Sequence, residues 1–155
     1  MDKNGKMALI VLSFLCSSCV PLPHFETQRT HVSGTLTRND APLSEAALRV
    51  SVGGNTDWSC SKAVTVSKTD SNGNFDLEGD KTFRFFRTLI GDPFYVYQLC
   101  ISVGDKTFLG YMDRGVGYPR ESLSLRCKIT SDSNPIDENT SISTIHKYMI
   151  CTPGT

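Results

Sequence analysis

The stretch that most constrains the fold is Lys68–Gly79, which reads Lys-Thr-Asp-Ser-Asn-Gly-Asn-Phe-Asp-Leu-Glu-Gly. Asp and Asn side chains hydrogen-bond their own backbone and tolerate left-handed angles, and glycine adopts a positive φ without steric cost. A tight turn is therefore predicted at Asp70–Gly73. Phe75 and Leu77 then alternate with two acidic residues, which is the period of a half-buried strand. The stretch predicts a β-hairpin and indicates a fold rather than a reaction.

Short alternating runs separated by turn residues recur along the chain, and no segment shows a sustained helical period. The predicted strands are His31–Arg38, Ala47–Val52, Ala63–Thr69, Asn74–Leu77, Phe94–Val103, Lys106–Met112 and Ser122–Ile129. Gly104 and Asp105 fit a two-residue hairpin turn. Phe108, Gly110 and Met112 are expected to face inward, and 114–120 is expected to be a loop. About seven such strands predict an all-β fold, a β-sandwich.

Two segments stay open at this point. Lys81–Ile90 fits either a fifth strand or a loop that packs its aromatic side chains inward. Ile142–Ile150 fits either a last strand or a short helix.

The N-terminus has the pattern of an export signal. Two lysines precede the nine-residue apolar run Met7–Leu15, which is shorter than the roughly twenty residues that a membrane-spanning helix needs but suits a signal peptide. Residues 15–19, Leu-Cys-Ser-Ser-Cys, resemble a bacterial lipobox, although Cys16 stands where that pattern has Leu. The resemblance implies cleavage before Cys19 and lipidation of that cysteine.

Three interpretations of this segment compete. The favoured one is a lipoprotein anchored to a membrane by acyl chains, including palmitate, on Cys19. The others are an ordinary cleaved secretion signal and an uncleaved membrane anchor. Val20, rather than Asp, follows Cys19, so the resemblance to Gram-negative lipoproteins implies the outer membrane. The predicted location is the bacterial cell envelope, with the protein lipid-anchored at the outer membrane or periplasm, and secretion is the alternative.

The remaining four cysteines, Cys60, Cys100, Cys127 and Cys151, form no C-x₂-C pair, which disfavours a structural zinc site. An exported chain of this size with six cysteines favours disulfides. Four cysteines allow three connectivities. The preferred one is Cys60–Cys100 with Cys127–Cys151, because Cys100 lies off the core face of its strand, within reach of the loop that carries Cys60.

Three motifs together resemble a known family of modules. They are Val-Ser-Gly-Thr-Leu at 32–36, Ala-Pro-Leu-Ser-Glu-Ala-Ala-Leu-Arg-Val at 41–50 and Lys-Thr-Asp-Ser-Asn-Gly-Asn-Phe at 68–75. They are similar to the carboxypeptidase regulatory-like, transthyretin-like domain, although Ala41 stands where a Gly is usual and Leu48 where a Val is usual. The resemblance implies a seven-stranded Greek-key sandwich. One enzyme of this fold, hydroxyisourate hydrolase, ends in Tyr-Arg-Gly-Ser, and this chain lacks that motif.

The predicted organisation is a signal peptide at 1–18, a tether at 19–30, the sandwich at 31–130 and a C-terminal extension at 131–155 packed on the domain.

The charge and the motifs predict neither nucleic-acid binding nor a metal site. Acidic and basic residues number 16 each, so the chain lacks the basic excess that a general nucleic-acid-binding protein needs. Asp70, Asn72 and Asn74 resemble the start of a calcium loop, but Phe75 and Lys81 stand where an EF-hand needs Gly and Glu. No catalytic residue, metal site or cofactor is predicted.

The richest aromatic cluster combines six aromatic residues with two arginines: Phe83, Phe85, Phe86, Phe94, Tyr95 and Tyr97 with Arg84 and Arg87. Its candidate partner surface is Phe83, Arg84, Phe85, Phe86 and Arg87. Core packing is its favoured interpretation, and a partner surface is the alternative because aromatic residues and Arg dominate interface hot spots.

The favoured functional hypothesis is a non-enzymatic envelope protein that acts through protein–protein or envelope contacts, with an exported or envelope protein as its partner. The alternatives are a carbohydrate- or peptide-binding module that uses the aromatics of Phe83–Tyr97, and an unrecognised hydrolase that gathers His31 or His146 with Arg or Cys side chains.

Overall fold

The computed structural model describes residues 19–20, 23–53, 60–85, 87–88, 94–136 and 147–154, which form β-strands and turns without an α-helix. The strands are β1 Cys19–Val20, β2 His24–Arg29, β3 His31–Arg38, β4 Ala41–Pro42, β5 Ala47–Gly53, β6 Val64–Lys68, β7 Asn74–Leu77, β8 Asp80–Arg84, β9 Arg87–Thr88, β10 Phe94–Val103, β11 Lys106–Val116, β12 Ser122–Ile129 and β13 Cys151–Pro153. The predicted all-β class is confirmed. No helix in the described residues is long and apolar enough to cross a membrane.

Two principal sheets build the domain. The first has the order β11-β10-β5-β6 and is antiparallel throughout. In the second, β3 lies between β12 on one side and β4 and β7 on the other, and β13 follows β12 at the edge. The β3–β12 pair is parallel, from His31 opposite Ser122 to Arg38 opposite Ile129. The remaining strands form two small ribbons, β2–β8 and β1–β9.

One hydrophobic core lies between these two sheets. It combines Val32 and Leu36 of β3 with Leu48 of β5, and it includes Leu99 and Ile101 of β10. Strand β12 contributes its alternate residues, as the sequence predicted: Leu123, Leu125, Cys127 and Ile129 are buried, while the residues between them are exposed. Burial of both inner faces is the arrangement expected of a β-sandwich.

The turn at Asp70–Gly73 is present, but the predicted hairpin is wrong. The Gly73 amide donates to the Asp70 carbonyl (3.0 Å), and Gly73 has a φ of 73°. Strand β6 pairs with β5, however, and β7 pairs with β3 in the other sheet. The turn is therefore a corner at which the chain changes sheets. Local turn chemistry sets the reversal of the chain but not the sheet that receives the next strand.

Strand β11 departs from its predicted register. The hairpin turn at Gly104 and Asp105 is confirmed, with Val103 opposite Lys106. Farther along, Leu99 faces Tyr111 and Cys100 faces Leu109, so Gly110 is an extra residue on β11. Such a bulge reverses the alternation of side chains beyond it.

Two corrections to β11 follow from its pairing with β10. Met112, expected inward, instead joins a cluster on the outer face of the sheet. The expected loop at 114–120 begins later, because β11 stays paired with β10 as far as Val116 opposite Phe94.

The outer face of this sheet carries a second buried cluster. It contains Cys60, Ala63, Cys100, Leu109, Met112 and Ile136, with Met149 packed against it. Cys100 thus lies off the central core, as predicted, yet it is fully buried. The loop with Cys60 and the segments around Ile136 and Met149 cover it. The chain after β12 therefore packs on the domain where the structure describes it.

The segment expected as a tether contains strand β2, which pairs antiparallel with β8. Backbone pairing and polar contacts hold this strand. Its sequence, His-Phe-Glu-Thr-Gln-Arg, has no apolar alternation and therefore does not predict a strand. The open alternative at Lys81–Ile90 resolves in part into β8 and β9. The open choice at Ile142–Ile150 falls for 142–146 outside the described residues, and the described part, 147–150, contains no strand.

Candidate functional site

The four predicted disulfide cysteines are paired in the preferred way, Cys60 with Cys100 and Cys127 with Cys151. The second bridge joins directly opposite residues of β12 and β13. None of the four is a free thiol, so none serves as a nucleophile or a metal ligand. Structural disulfides form and persist in oxidising compartments. The bridges thus point to a location outside the cytoplasm.

The backbone at the predicted lipidation position, Cys19, belongs to the small ribbon β1–β9. Cys19 lies opposite Thr88, and Val20 lies opposite Arg87. The pairing places this position beside the end of the predicted aromatic segment, from which it is distant in the sequence.

The aromatic segment is exposed where its side chains are described, contrary to the core packing that the sequence favoured. Phe83 is 53% exposed and Phe85 57% exposed. Phe25 of β2, 71% exposed, lies opposite Phe83 with the two rings edge to face and their centroids 5.4 Å apart. We call Phe25, Phe83, Arg84 and Phe85 the aromatic surface. The side chains of Phe86 and Arg87 lie outside the described set.

A largely buried carboxylate, Glu26, holds this ribbon to the domain. The Tyr118 hydroxyl donates to Glu26 Oε1 (2.8 Å), and His24 Nε2 lies 3.0 Å from the same oxygen. Arg84 Nε is 3.4 Å from Glu26 Oε2. Burial raises the pKa of Glu26, but the hydrogen bonds from Tyr118 and His24 and the charge of Arg84 outweigh it, so the pKa lies below its usual value. Glu26 is thus an ionised structural group.

A cleft of about 400 Å³ opens where the two sheets part at one side of the domain. We call it the edge cleft. Val66 and Ser67 of β6 line it from one sheet, and Leu77 of β7 lines it from the other. Strands β6 and β7 are the outermost strands of their sheets on this side. The volume is that of a small-molecule site.

Tyr97, in the middle of β10, also lines the edge cleft. The residue is 1% exposed, and its hydroxyl is the buried side-chain polar atom without a hydrogen-bond partner in the described part of the chain. Burial raises the pKa of this hydroxyl well above its usual value, with a smaller opposing effect from Arg29. The group therefore stays protonated. Burying a hydroxyl without a hydrogen-bond partner lowers the free energy of unfolding. Such groups are uncommon in native structures.

Arg29 and Thr30 line the cleft beside Tyr97. Arg29 Nε donates to the Glu78 carbonyl (3.0 Å), which leaves both terminal NH₂ groups of the guanidinium without an acceptor among the described residues. Thr30 is 4% exposed. Asp76 and Glu78 also line the cleft and are exposed to solvent.

The histidines do not assemble a catalytic group in the described structure. His31 Nε2 lies 2.8 Å from Asp76 Oδ1 in an exposed pair. The nearby Ser67 hydroxyl donates to the Lys68 carbonyl (3.4 Å) and not to His31. His24 contacts Glu26, and His146 is outside the described residues. Within those residues, no three His, Cys, Asp or Glu side chains are placed to hold a metal ion.

The sequence analysis placed Tyr97 in the aromatic cluster but did not connect it with Arg29 or with a cleft. Tyr97 reads as one of a row of core residues on β10, and Arg29 falls in the supposed tether. The sequence does carry one signal for Tyr97. A tyrosine within a row of aliphatic core residues needs a hydrogen-bond partner for its hydroxyl.

No protein-family model matches the chain, and a search of the curated proteins finds no similar sequence.

Replacing Tyr97 with Phe should stabilise the protein. The change keeps the ring in the core and removes the unpaired hydroxyl, so we expect the free energy of unfolding to rise by about 1 kcal/mol. Urea denaturation measures it. Tyr118→Phe is the matched control, because it removes a hydroxyl that donates to Glu26 and should lower stability by about 1 kcal/mol. Equal losses in both variants would show that the Tyr97 hydroxyl has a partner.

Proposed function

We propose that this protein is a non-enzymatic binding protein of the bacterial cell envelope, anchored by lipid at Cys19 and acting through protein–protein contacts. The observation that carries the proposal is the exposed aromatic surface. Phe25, Phe83 and Phe85 are each more than half exposed, and Arg84 lies among them. Large aromatic side chains and Arg are the residue types that contribute most at protein interfaces.

The support of this surface also favours binding. Phe25 and Phe83 project from paired strands, and the Glu26 contacts hold those strands to the domain. An interface presented by fixed elements loses less conformational entropy on association than a mobile loop does. The partner proposed is an exported or envelope protein, since the disulfides favour an oxidising compartment.

The fold supports the module resemblance without assigning a role. The seven predicted strands correspond to β3, β5, β6, β7, β10, β11 and β12. The chain passes between sheets so that β7 returns beside β3 and β10 returns beside β5. We propose on this basis that the domain is a transthyretin-like Greek-key sandwich. Modules of one fold serve many functions, so the role has to come from the surfaces.

Lipid attachment would place the aromatic surface near the membrane. Cys19 pairs with Thr88, three residues beyond Phe85. An anchored protein would therefore present this surface to partners at or close to the bilayer. Several acyl chains hold a protein stably, because each buried CH₂ contributes roughly 0.8 kcal/mol.

The double variant Phe25→Ser, Phe83→Ser should lose a partner that the wild-type protein retains from envelope extracts. Both side chains are exposed, so the substitutions remove contact area without opening the core. Val64→Ser is the matched control, because Val64 is 67% exposed on β6, outside the aromatic surface. Affinity purification with quantitative mass spectrometry measures retention. Equal recovery of every protein with the double variant would contradict the proposed surface.

Metabolic labelling with a palmitate analogue should label the wild-type chain and the Cys16→Ala variant but not Cys19→Ala. The acyl groups need the thiol and the new amine of the cysteine that follows the cleavage site. In-gel detection of the analogue gives the readout. Label retained in Cys19→Ala would refute lipidation at this position.

A further inference from the structure

A second opening lies at the end of the sandwich where β10 turns into β11. We call it the end pocket; its volume is about 320 Å³, and its lining includes Arg38, Lys106, Phe108, Ile129, Thr130 and Ser133. Phe108 and Ile129 are each 4% exposed and belong to the central core, so they give the end pocket an apolar floor. The core between the two sheets therefore meets solvent here.

Two basic side chains reach the end pocket from opposite sheets. Arg38, the last residue of β3, is the register partner of Ile129. Lys106, the first residue of β11, is the register partner of Val103, which packs against the core. Residues directly opposite each other on paired strands project from the same face of a sheet. Arg38 and Lys106 thus stand on the two inner faces, on facing walls of one opening.

Neither basic side chain has a counter-charge. In the part of the chain that the structure describes, the side chains of Arg38 and Lys106 have no ion pair and no hydrogen bond, and no Asp or Glu lines the end pocket. Asp40, two residues after Arg38, lies instead 2.7 Å from Lys128 Nζ. Like charges on facing walls repel each other, whereas an anion between them attracts both.

The backbone at the end pocket is held in place by the fold. Arg38 faces Ala41 across a two-residue turn, and the turn residues Asn39 and Asp40 have φ angles of 50° and 67°. Positive φ at both central residues is typical of a tight hairpin turn. The Asn39 amide donates to the Ile129 carbonyl (3.1 Å), which ties this turn to β12. Ligand binding therefore orders mainly the two basic side chains, which limits its entropic cost.

We propose that the end pocket binds a phosphate group, with Arg38 and Lys106 contacting its oxygens from opposite walls. An Arg guanidinium donates two parallel hydrogen bonds, and a Lys ammonium acts as a point charge. One Arg fork already engages both oxygens of a carboxylate, whereas a phosphate has further oxygens for the second wall. A phosphate monoester also carries a charge of about −1.5 to −2 at neutral pH, which matches two cations.

The strength of this site is limited by solvent. Arg38 and Lys106 are both exposed, and water and salt screen exposed charges. We therefore expect a Kd of about 1 mM at low ionic strength and a weaker affinity when salt is added. The end pocket shares no residue with the aromatic surface and does not rest on its function.

Isothermal titration of the full chain, with both disulfides formed, tests the site at low ionic strength. The probes are inorganic phosphate and glycerol 3-phosphate, with acetate as the carboxylate control and glycerol as the neutral control. We expect both phosphates to bind about tenfold or more tightly than acetate, which is the size of one additional charge-assisted contact. Glycerol should not bind.

A short-chain lipid distinguishes the two sources of such a group. Dihexanoyl phosphatidic acid carries the phosphate monoester of glycerol 3-phosphate on two short acyl chains. Tighter binding of this lipid than of glycerol 3-phosphate assigns the end pocket to a lipid headgroup. Equal or weaker binding assigns it to a soluble phosphate ester.

Variants assign the contact to the end pocket. Arg38→Gln and Lys106→Gln should each weaken phosphate binding about tenfold, because each removes a hydrogen bond to a charged group. Arg126→Gln is the matched control. It removes the same charge from an exposed position on the outer face of β12 and should change the affinity by less than about twofold. All three side chains are exposed, so these substitutions leave the core intact.

Three results would overturn the proposal. The first is the absence of binding by both phosphates and the short-chain lipid at concentrations up to about 10 mM. The second is acetate binding as tight as phosphate binding. The third is a loss of affinity in Arg126→Gln as large as in Arg38→Gln and Lys106→Gln, because net charge would then explain the binding. The partner surface is tested by recovery of proteins from envelope extracts, so either proposal can fail without the other.

Discussion

The buried hydroxyl of Thr69 is the interaction on which the arrangement of the two sheets depends. It donates to the Leu43 carbonyl (2.7 Å) and accepts from the Ala46 amide (3.0 Å). The Thr69 amide and carbonyl bond the same segment, through Ala46 and Glu45. Two stretches of chain cross between the sheets here, 43–46 and 69–73, and Thr69 joins them. The corner continues at Gly73, whose carbonyl accepts from the Leu36 amide of β3 (2.8 Å).

This corner explains why the edge cleft exists. Because the chain leaves one sheet after β6 and enters the other at β7, these strands become edge strands on the same side of the domain. The sheets are held together at the corner and part beyond it, where Tyr97 reaches the opening from β10. A hairpin between β6 and β7 would have placed both strands in one sheet and left no such opening. The fold and the candidate site thus share one cause.

The sequence predicted the parts of the fold that local physics determines. Alternation located β10 and β12 and their buried faces, and Gly104 with Asp105 located the hairpin turn between β10 and β11. The disulfide pairing preferred among the three possible ones is confirmed, and Cys100 lies opposite the core row of β10, as that preference assumed. Three features depend on long-range pairing and were not predicted. They are the change of sheet after Lys68, the bulge at Gly110 and the strand at His24–Arg29, which pairs through its backbone.

The candidate sites were harder to predict for a related reason. Phe83 and Phe85 look like core residues by composition, and only the pairing of β8 with β2, outside both principal sheets, leaves them exposed. Tyr97 has the sequence pattern of a core residue and is buried in the core, but its hydroxyl has no hydrogen-bond partner among the described residues. Arg29 lines the edge cleft because β2 ends beside the opening between the sheets. Contacts between residues distant in the sequence define each of these positions.

The stability of Thr69→Val, compared with Thr65→Val, tests the corner most directly. Both changes replace a hydroxyl with a methyl of similar size, but Thr69 is 2% exposed and Thr65 is exposed on β6. Urea denaturation should show that Thr69→Val loses about 2 kcal/mol, because two buried backbone groups lose their partner. Thr65→Val should stay within about 0.5 kcal/mol of the wild type. Equal free energies of unfolding for the two variants would contradict the central place given to this corner.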